Sequence, residues 1–189
     1  MNTAKHGEKK LLILQTIAHL LELPAGEKIT TAALAKRLDV SEAALYRHFA
    51  SKAQMFEGLL EFIESGLFSV INKIASEEED GLLQAQMIVS LLLGFSEKNR
   101  GLTRVLIGDA LVNENERLQT RINQLLDRVE ASLKQSLRVA ATQGKLPTTH
   151  DFAAHANLLR CYAIGRWHQF VKSGFKDAPL AQWPQQWSL

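Results

Sequence analysis

Residues 29–56 read ITTAALAKRLDVSEAALYRHFASKAQMF, and three helix starts are written into them. Thr30 or Thr31, then Ser41, then Ser51 each carry a short side-chain oxygen able to accept from the free backbone N–H groups of a first helical turn. Ser51-Lys-Ala-Gln54 also fits the capping box, in which the cap and the third helical residue satisfy each other's N–H groups. The spacing predicts a helix over 31–38, a turn at Asp39-Val40 and a short second helix over 42–49. Ala33, Leu34, Leu38, Val40, Leu45 and Phe49 are predicted to face inward, with Glu42, Ala43, Tyr46, Arg47 and His48 on or near the opposite side. Two short helices joined by a tight turn form a helix-turn-helix, whose second helix can lie in the major groove of DNA. Ala43 and Ala44 are small enough for close approach. Thr31, Ser41, Tyr46, His48 and Lys52 carry groups able to reach phosphate oxygens. Lys52 also opens the next helix, where free N–H groups and the helix dipole already favour an anion.

Outward from this stretch, the 189-residue chain is 46% hydrophobic and 22% charged, the makeup of one or two globular domains with a core that needs no staples. The lone Cys161 excludes an internal disulfide and suits a reducing cytoplasm. The apolar run 11–21 (LLILQTIAHLL) is interrupted by Gln15, Thr16 and His19. It is too short to span a bilayer and lacks a small-residue cleavage site, so it is expected to be the buried first helix of a cytosolic protein. The net charge of +2 is uneven. Residues 1–52 hold eight Lys/Arg against five Asp/Glu, and the remainder fourteen against fifteen. That is a weak nucleic-acid footprint for a monomer, and a dimer would double it on one face.

No stretch alternates apolar and polar residues for long, which predicts an all-α protein. Helices are expected at 8–22, 31–38, 42–49, 52–76, 82–99, near 102–112, 115–143 and 151–173. The acidic run 77–80, the pair Arg100-Gly101 and the segment 144–149 serve as stops, and the tail from Phe175 is expected to be irregular or only briefly helical. The natural division gives a helix-turn-helix DNA-binding domain over 1–51 and a helical regulatory, partner-binding and dimerisation domain over 52–189. Nothing points to catalysis, a cofactor or a metal. His150 and His155 are five apart, not the four that align two ligands on one helical face. Cys161 reads as an inert packed thiol in an apolar helix, and no nucleophile-elbow, phosphate-loop or zinc-protease motif occurs.

The run ALAKRLDVSEAALYRHFASKAQMF resembles the DNA-binding signature of the TetR family, matched by Leu45, Tyr46, Arg47, His48, Phe49 and Lys52. The resemblance implies that the tyrosine, histidine and lysine contact the DNA backbone and that few residues touch bases. Most such proteins are repressors released from operator DNA by a small-molecule inducer, and that remains the alternative reading. A narrower resemblance disfavours an inducer: IVSLLLGFSEKNRGLTRVLIGDAL (88–111) and ERLQTRINQLLDRVEASLKQ (116–135) resemble the nucleoid-occlusion members of the family. This implies a nucleoid-associated protein whose DNA binding is coupled to antagonism of the tubulin-like division protein FtsZ. The FtsZ C-terminal tail would sit in a groove beside the helices 52–76 and 82–99. Phe62, Leu91, Gly94, Lys98 and Asn99 match the positions lining that groove, whereas Val70 and Lys98 stand where arginines are expected.

Periodicity bears on the groove independently. Along 52–76, Phe56, Leu60, Ile63, Leu67, Val70, Ile71 and Ile74 gather into one stripe, while Phe62 lies about 120° away on a side shared with Met55, Gly66, Ser69 and Lys73. Leu91, Gly94 and Lys98 share a face of the next helix, with Asn99 adjacent. Residues 117–139 carry a stripe of Leu118, Ile122, Leu125, Val129, Leu133 and Leu137. Residues 151–173 carry Phe152, Ala156, Leu159, Ala163, Trp167, Phe170 and Val171, with Ala153, Ala156, Ala163 and Gly165 allowing close approach. These two helices are expected to form the four-helix seam of a homodimer, setting two recognition helices about one turn of double-stranded DNA apart on a palindromic, operator-like site.

Overall fold

The computed structural model describes residues 2–23, 29–111 and 114–188. Its elements are α1 (Asn2–Leu20), α2 (Thr31–Arg37), α3 (Glu42–Tyr46), α4 (Lys52–Glu77), α5 (Gly81–Lys98), α6 (Arg100–Leu106), a 3₁₀ turn (Asp109–Leu111), α7 (Glu116–Thr142), α8 (Phe152–Lys172) and α9 (Trp183–Trp187). Among the described residues there is no strand. The helix starts follow the short polar side chains. Thr30, Ser41, Ser51, Asp80, Asn115 and Asp151 each accept from N–H groups of the turn they open. Val112, expected at the end of a helix near 102–112, lies outside the described residues.

Between α2 and α3 the chain reverses through a C-terminal cap. Asp39 has φ +53°, Asp39 N–H donates to Lys36 O, and Val40 N–H to Ala35 O at 3.0 Å. This is the Schellman arrangement with aspartate where glycine is usual. The left-handed residue swings Val40 outward, so it is 43% exposed rather than buried as its apolar character predicts. Ala35, not Ala33, takes the inward position. α3 stops at Tyr46, short of the predicted end at 49, because His48 and Phe49 N–H groups both turn back to Leu45 O. That turn still delivers Phe49 to the core beside Leu45. α1 starts at Asn2, earlier than residue 8, and is one-sided rather than buried. Ile13, Ile17 and Leu21 face inward, and Leu11 and Leu12 are exposed.

Two glycines weld the layers. A Cβ on Gly101 would lie 1.9 Å from Ala18 O, and one on Gly81 2.2 Å from Ala140 N, so α6 meets α1 and α5 meets α7 backbone to backbone. The core of α4, α5, α7 and α8 closes around Trp167, which is wholly buried and donates from Nε1 to Leu92 O at 3.0 Å. Burial of each large apolar side chain there contributes roughly 1.5–3 kcal/mol. The inner face of α4 leans toward α7, where the Arg128 guanidinium stacks 3.9 Å over Phe68. Phe68 and Met55 are buried and Val70 is exposed, reversing the expectations for Met55 and Val70.

The tail holds only the brief helix α9, as expected, and it is packed against α5 and α8. Trp183 is buried and donates from Nε1 to Ser90 Oγ at 2.7 Å, and Leu180 N–H donates to Glu97 Oε1 at 2.8 Å. Arg166 donates to the carbonyls of Ala178 and Pro179, and Tyr162 and Trp187 both pack on Trp183. The segment 178–187 is a strap laid across α5.

Candidate nucleic-acid interface and partner groove

The outer side of α3 presents Ser41, Glu42, Ala43, Tyr46 and Arg47 to solvent, with Ala44 and His48 half-buried beside them. Ser41 Oγ accepts from Ala44 N–H at 3.2 Å, which fixes the start of the helix. Thr31 is not the cap of α2. Its hydroxyl donates to Glu42 Oε2 at 2.6 Å and ties the openings of α2 and α3 together. A phosphate reaching Thr31 therefore competes with a carboxylate. At the start of α4, Ser51 Oγ accepts from Gln54 N–H, while Gln54 Oε1 accepts from Ala50 N–H rather than from Ser51 itself. The capping box is shifted by one residue.

Lys52 opens α4 as expected, but its ammonium is engaged. It forms an ion pair with Glu114 in the connection to α7 and lies 5.7 Å over the Phe56 ring. Sixty-two residues separate the pair, and no local pattern in the sequence signals it. A phosphate binding Lys52 meets an ammonium already paired with Glu114 and shares or replaces that carboxylate.

On α4 and α5 the second candidate surface is apolar and open. Phe62 is 51% exposed. Gly66 lies one turn on with free space where a Cβ would stand, and the exposed Lys73 pairs with Glu77 at 3.8 Å. On α5, Leu91 and Gly94 are half-buried and Lys98 is exposed. The Asn99 amide donates to Phe95 O at 2.8 Å, so its N–H is partly spent within its own helix. Two exposed residues that sequence reasoning missed extend this strip, Leu83 and Met87. Their four-residue spacing to Leu91 was the available signal. α5 packs against α4, and the surface as a whole is apolar with lysines at its margins.

The stripes expected at the dimer seam are spent inside the chain. Leu118, Ile122, Leu125, Val129, Leu133 and Leu137 are all buried within the chain itself, as are Ala156, Ala163 and Trp167. What α8 leaves outside is Ala153, Ala154, Leu158, Cys161 and Gly165, with Leu158 64% exposed. Cys161 is exposed, not packed. His150 and His155 do meet, Nε2 to Nδ1 at 2.9 Å, because His150 precedes the helix and folds back over its first turn. Burial and then His150 hold His155 below the usual histidine range. Among the described residues no group of three or more His, Cys, Asp or Glu could hold a metal ion, and no helix is long and apolar enough to cross a membrane.

Comparison with known proteins matches both halves. A family model described as bacterial regulatory proteins, tetR family, matches residues 13–59, and a SlmA-like model, described as tetracyclin repressor-like, C-terminal domain, matches residues 79–189. The nucleoid occlusion factor SlmA of Alteromonas mediterranea is 50% identical over 188 residues, covering 100% of this chain and 96% of that protein. That of Marinomonas sp. is 49% identical over 185 residues, covering 98% and 94%. Among solved structures, a TetR transcription regulator from Haloarcula marismortui superposes with a TM-score of 0.80 at 18% identity, covering 96% of this chain and 95% of that one. FadR from Bacillus subtilis, in complex with stearoyl-CoA, gives 0.76 at 15%, covering 95% and 96%. These two share the fold.

Proposed function

The chain belongs to the TetR family, on the branch of the SlmA nucleoid occlusion factors, and from that premise we propose that, when bound to DNA over the nucleoid, it antagonises assembly of the FtsZ ring and so inhibits division there. It is a DNA-binding regulator rather than an enzyme. In this reading residues 1–51 bind DNA and 52–189 carry the partner groove and the dimer contact. A two-fold dimer matches a palindromic site because its two recognition helices are spaced by the same symmetry.

Ala43 and Ala44 let α3 approach the major groove. Tyr46, His48, Ser41 and Thr31 supply polar groups to phosphates, and Arg47 and Glu42 flank the base edges. Lys52 exchanges its Glu114 carboxylate for a phosphate oxygen. The FtsZ C-terminal tail lies on Phe62, Leu91, Gly94, Lys98 and Asn99, an apolar strip with a cationic rim suited to a short acidic peptide. Lys98 offers a point charge where an arginine would offer a planar fork, and Lys73, one turn from Val70, supplies a further cation.

The observation that carries the partner half of this reading is Phe62, a large aromatic held half-exposed on a rigid helix whose other apolar residues are largely inside. The test is to titrate the protein against DNA selected from a random pool and against the FtsZ C-terminal peptide. Phe62→Ala is expected to remove an anchor worth about 2 kcal/mol or more to the peptide while leaving DNA affinity intact. No peptide binding by the unmodified protein, with or without DNA, would sink the proposal.

A further inference from the structure

Glycine in a helix interior is destabilising, so each one asks for a reason. Gly81 and Gly101 have theirs in the backbone contacts described above. Gly66 and Gly94 do not, and neither do Gly7 on α1 and Gly165 on the open face of α8. A Cβ on Gly66 would meet nothing within 4 Å, and one on Gly94 only Leu180 Cδ1 at 3.4 Å, an ordinary contact. The fold tolerates side chains at both positions. Both fall on the candidate groove, Gly66 four residues from Phe62 and from Val70, and Gly94 between Leu91 and Lys98.

The C-terminal strap ends at the same place. It covers the side of α5 that carries Ser90 and Glu97 through the Trp183 and Leu180 hydrogen bonds, and the Leu180 side chain reaches Gly94. Counting about 100° per residue, Met87 and Lys98 lie within about 40° of Gly94 and Leu91 about 60° from it, all on the side away from Ser90 and Glu97. The open strip of α5 therefore begins where the strap stops. α4, with Phe62 and Gly66, joins α5 through the three-residue connection 78–80 and packs along it.

The geometry points to a three-sided groove in which α5 is the floor, α4 one wall, and the C-terminal strap, through Leu180, the other. Its occupant is the acidic peptide of the reading above, on which this inference rests. Lys73 and Lys98 on the rim complement that peptide's charge, and the two bare glycines let its backbone sit deep. The strap thus sets the width of the site, and residues 178–187 are determinants of partner specificity although they lie more than eighty residues from Gly94 in the chain.

The experiment titrates the full-length protein with a labelled FtsZ C-terminal peptide, with DNA affinity and melting temperature as controls. Leu180→Ala, which removes the wall, and Gly94→Ala, which raises the floor, are each expected to weaken peptide binding about five-fold or more with DNA affinity unchanged. A benzophenone placed in the peptide is expected to crosslink to residues 178–187, a readout that does not depend on any variant folding. If Phe62→Ala abolishes binding while both variants bind normally and crosslinks fall on α4 and α5 alone, the strap is no wall and the partner reading stands without it. Tighter binding by Leu180→Ala would make the strap a competitor and overturn the inference. Failure of the unmodified protein to bind the peptide would instead count against the partner reading itself.

Discussion

The two outer helices α7 and α8 look alike in sequence and differ in what they have left to bury. Every residue of the α7 stripe, from Leu118 to Leu137, is consumed by its own chain, and the helix turns Arg117, Gln124, Asp127, Arg128 and Arg138 to solvent. α8 spends Ala156, Ala163, Trp167 and Phe170 inside and still shows Ala154, Leu158, Cys161 and Gly165 outside. A period of 3.6 says which face of a helix is covered, not whether the cover comes from the same chain or another. Only α8 keeps a small-residue face free for a symmetry mate.

The change that should break this contrast most severely is Ala163→Arg. If Ala163 lined the seam, the variant would be a folded monomer. Because it is buried in the chain, an unpaired guanidinium there is expected to cost roughly 4 kcal/mol or more and to unfold the protein. Thermal and urea denaturation decide, and a stable monomer would return Ala163 to the interface. Next comes Leu158→Ala. Removal of this side chain from both halves of a two-fold contact is expected to weaken dimerisation by about 3 kcal/mol in total with little change in the urea midpoint of the dissociated protein. Sedimentation at graded concentrations reads it. A variant as dimeric as the parent would place the seam elsewhere.

The parts legible in the sequence were those with local causes. Thr30, Ser41 and Ser51 announce their helices because a cap and its N–H partner are three residues apart, and the off-stripe position of Phe62 follows from helical geometry alone. What stayed hidden depends on tertiary packing or on turn geometry. Val40 faces out because Asp39 adopts a left-handed backbone. Val70 lies on the predicted stripe of α4 and is nonetheless exposed, because periodicity does not say how far round the helix its neighbours reach. The brief helix of the tail was expected but its packing on α5 was not, and the available signal was Trp183 and Trp187. The Lys52–Glu114 pair had no local signal.

That pair gives a smaller prediction, and it separates the region before α4 from the bundle behind it. Glu114→Gln removes a carboxylate competing with phosphate for Lys52 and is expected to tighten DNA binding by up to about 1 kcal/mol, the upper end for a partly exposed ion pair. Lys52→Ala is expected to weaken every DNA sequence similarly and to reduce the steepness of the salt dependence by about 0.9 in log–log slope for each protomer bound. Base-specific effects from Lys52→Ala would mean that the lysine reads sequence rather than phosphate.

The smallest effect concerns how α8, and not α7, is anchored at its start. His155 is held below the ordinary histidine value of about 6.5, by burial first and by His150 second, and the two rings share a hydrogen bond that needs at least one neutral partner. The unfolded chain therefore takes up its proton at a higher pH than the folded one. Stability is complete above about pH 6.5 and falls as the pH drops through the folded-state value. Asp151, capping the same helix, is also depressed, by the Ala154 N–H above all. As a carboxylate it contributes above its ordinary value near 4 and is lost only below that. The two windows separate. Between pH 6.5 and 5 the melting temperature of the unmodified protein is expected to decline more than that of His155→Gln, while below pH 4 both decline together through Asp151. Parallel curves from pH 6.5 to 5 would show that the start of α8 is indifferent to the histidine pair, leaving the Asp151 cap and the Ala156–Trp167 face to hold it.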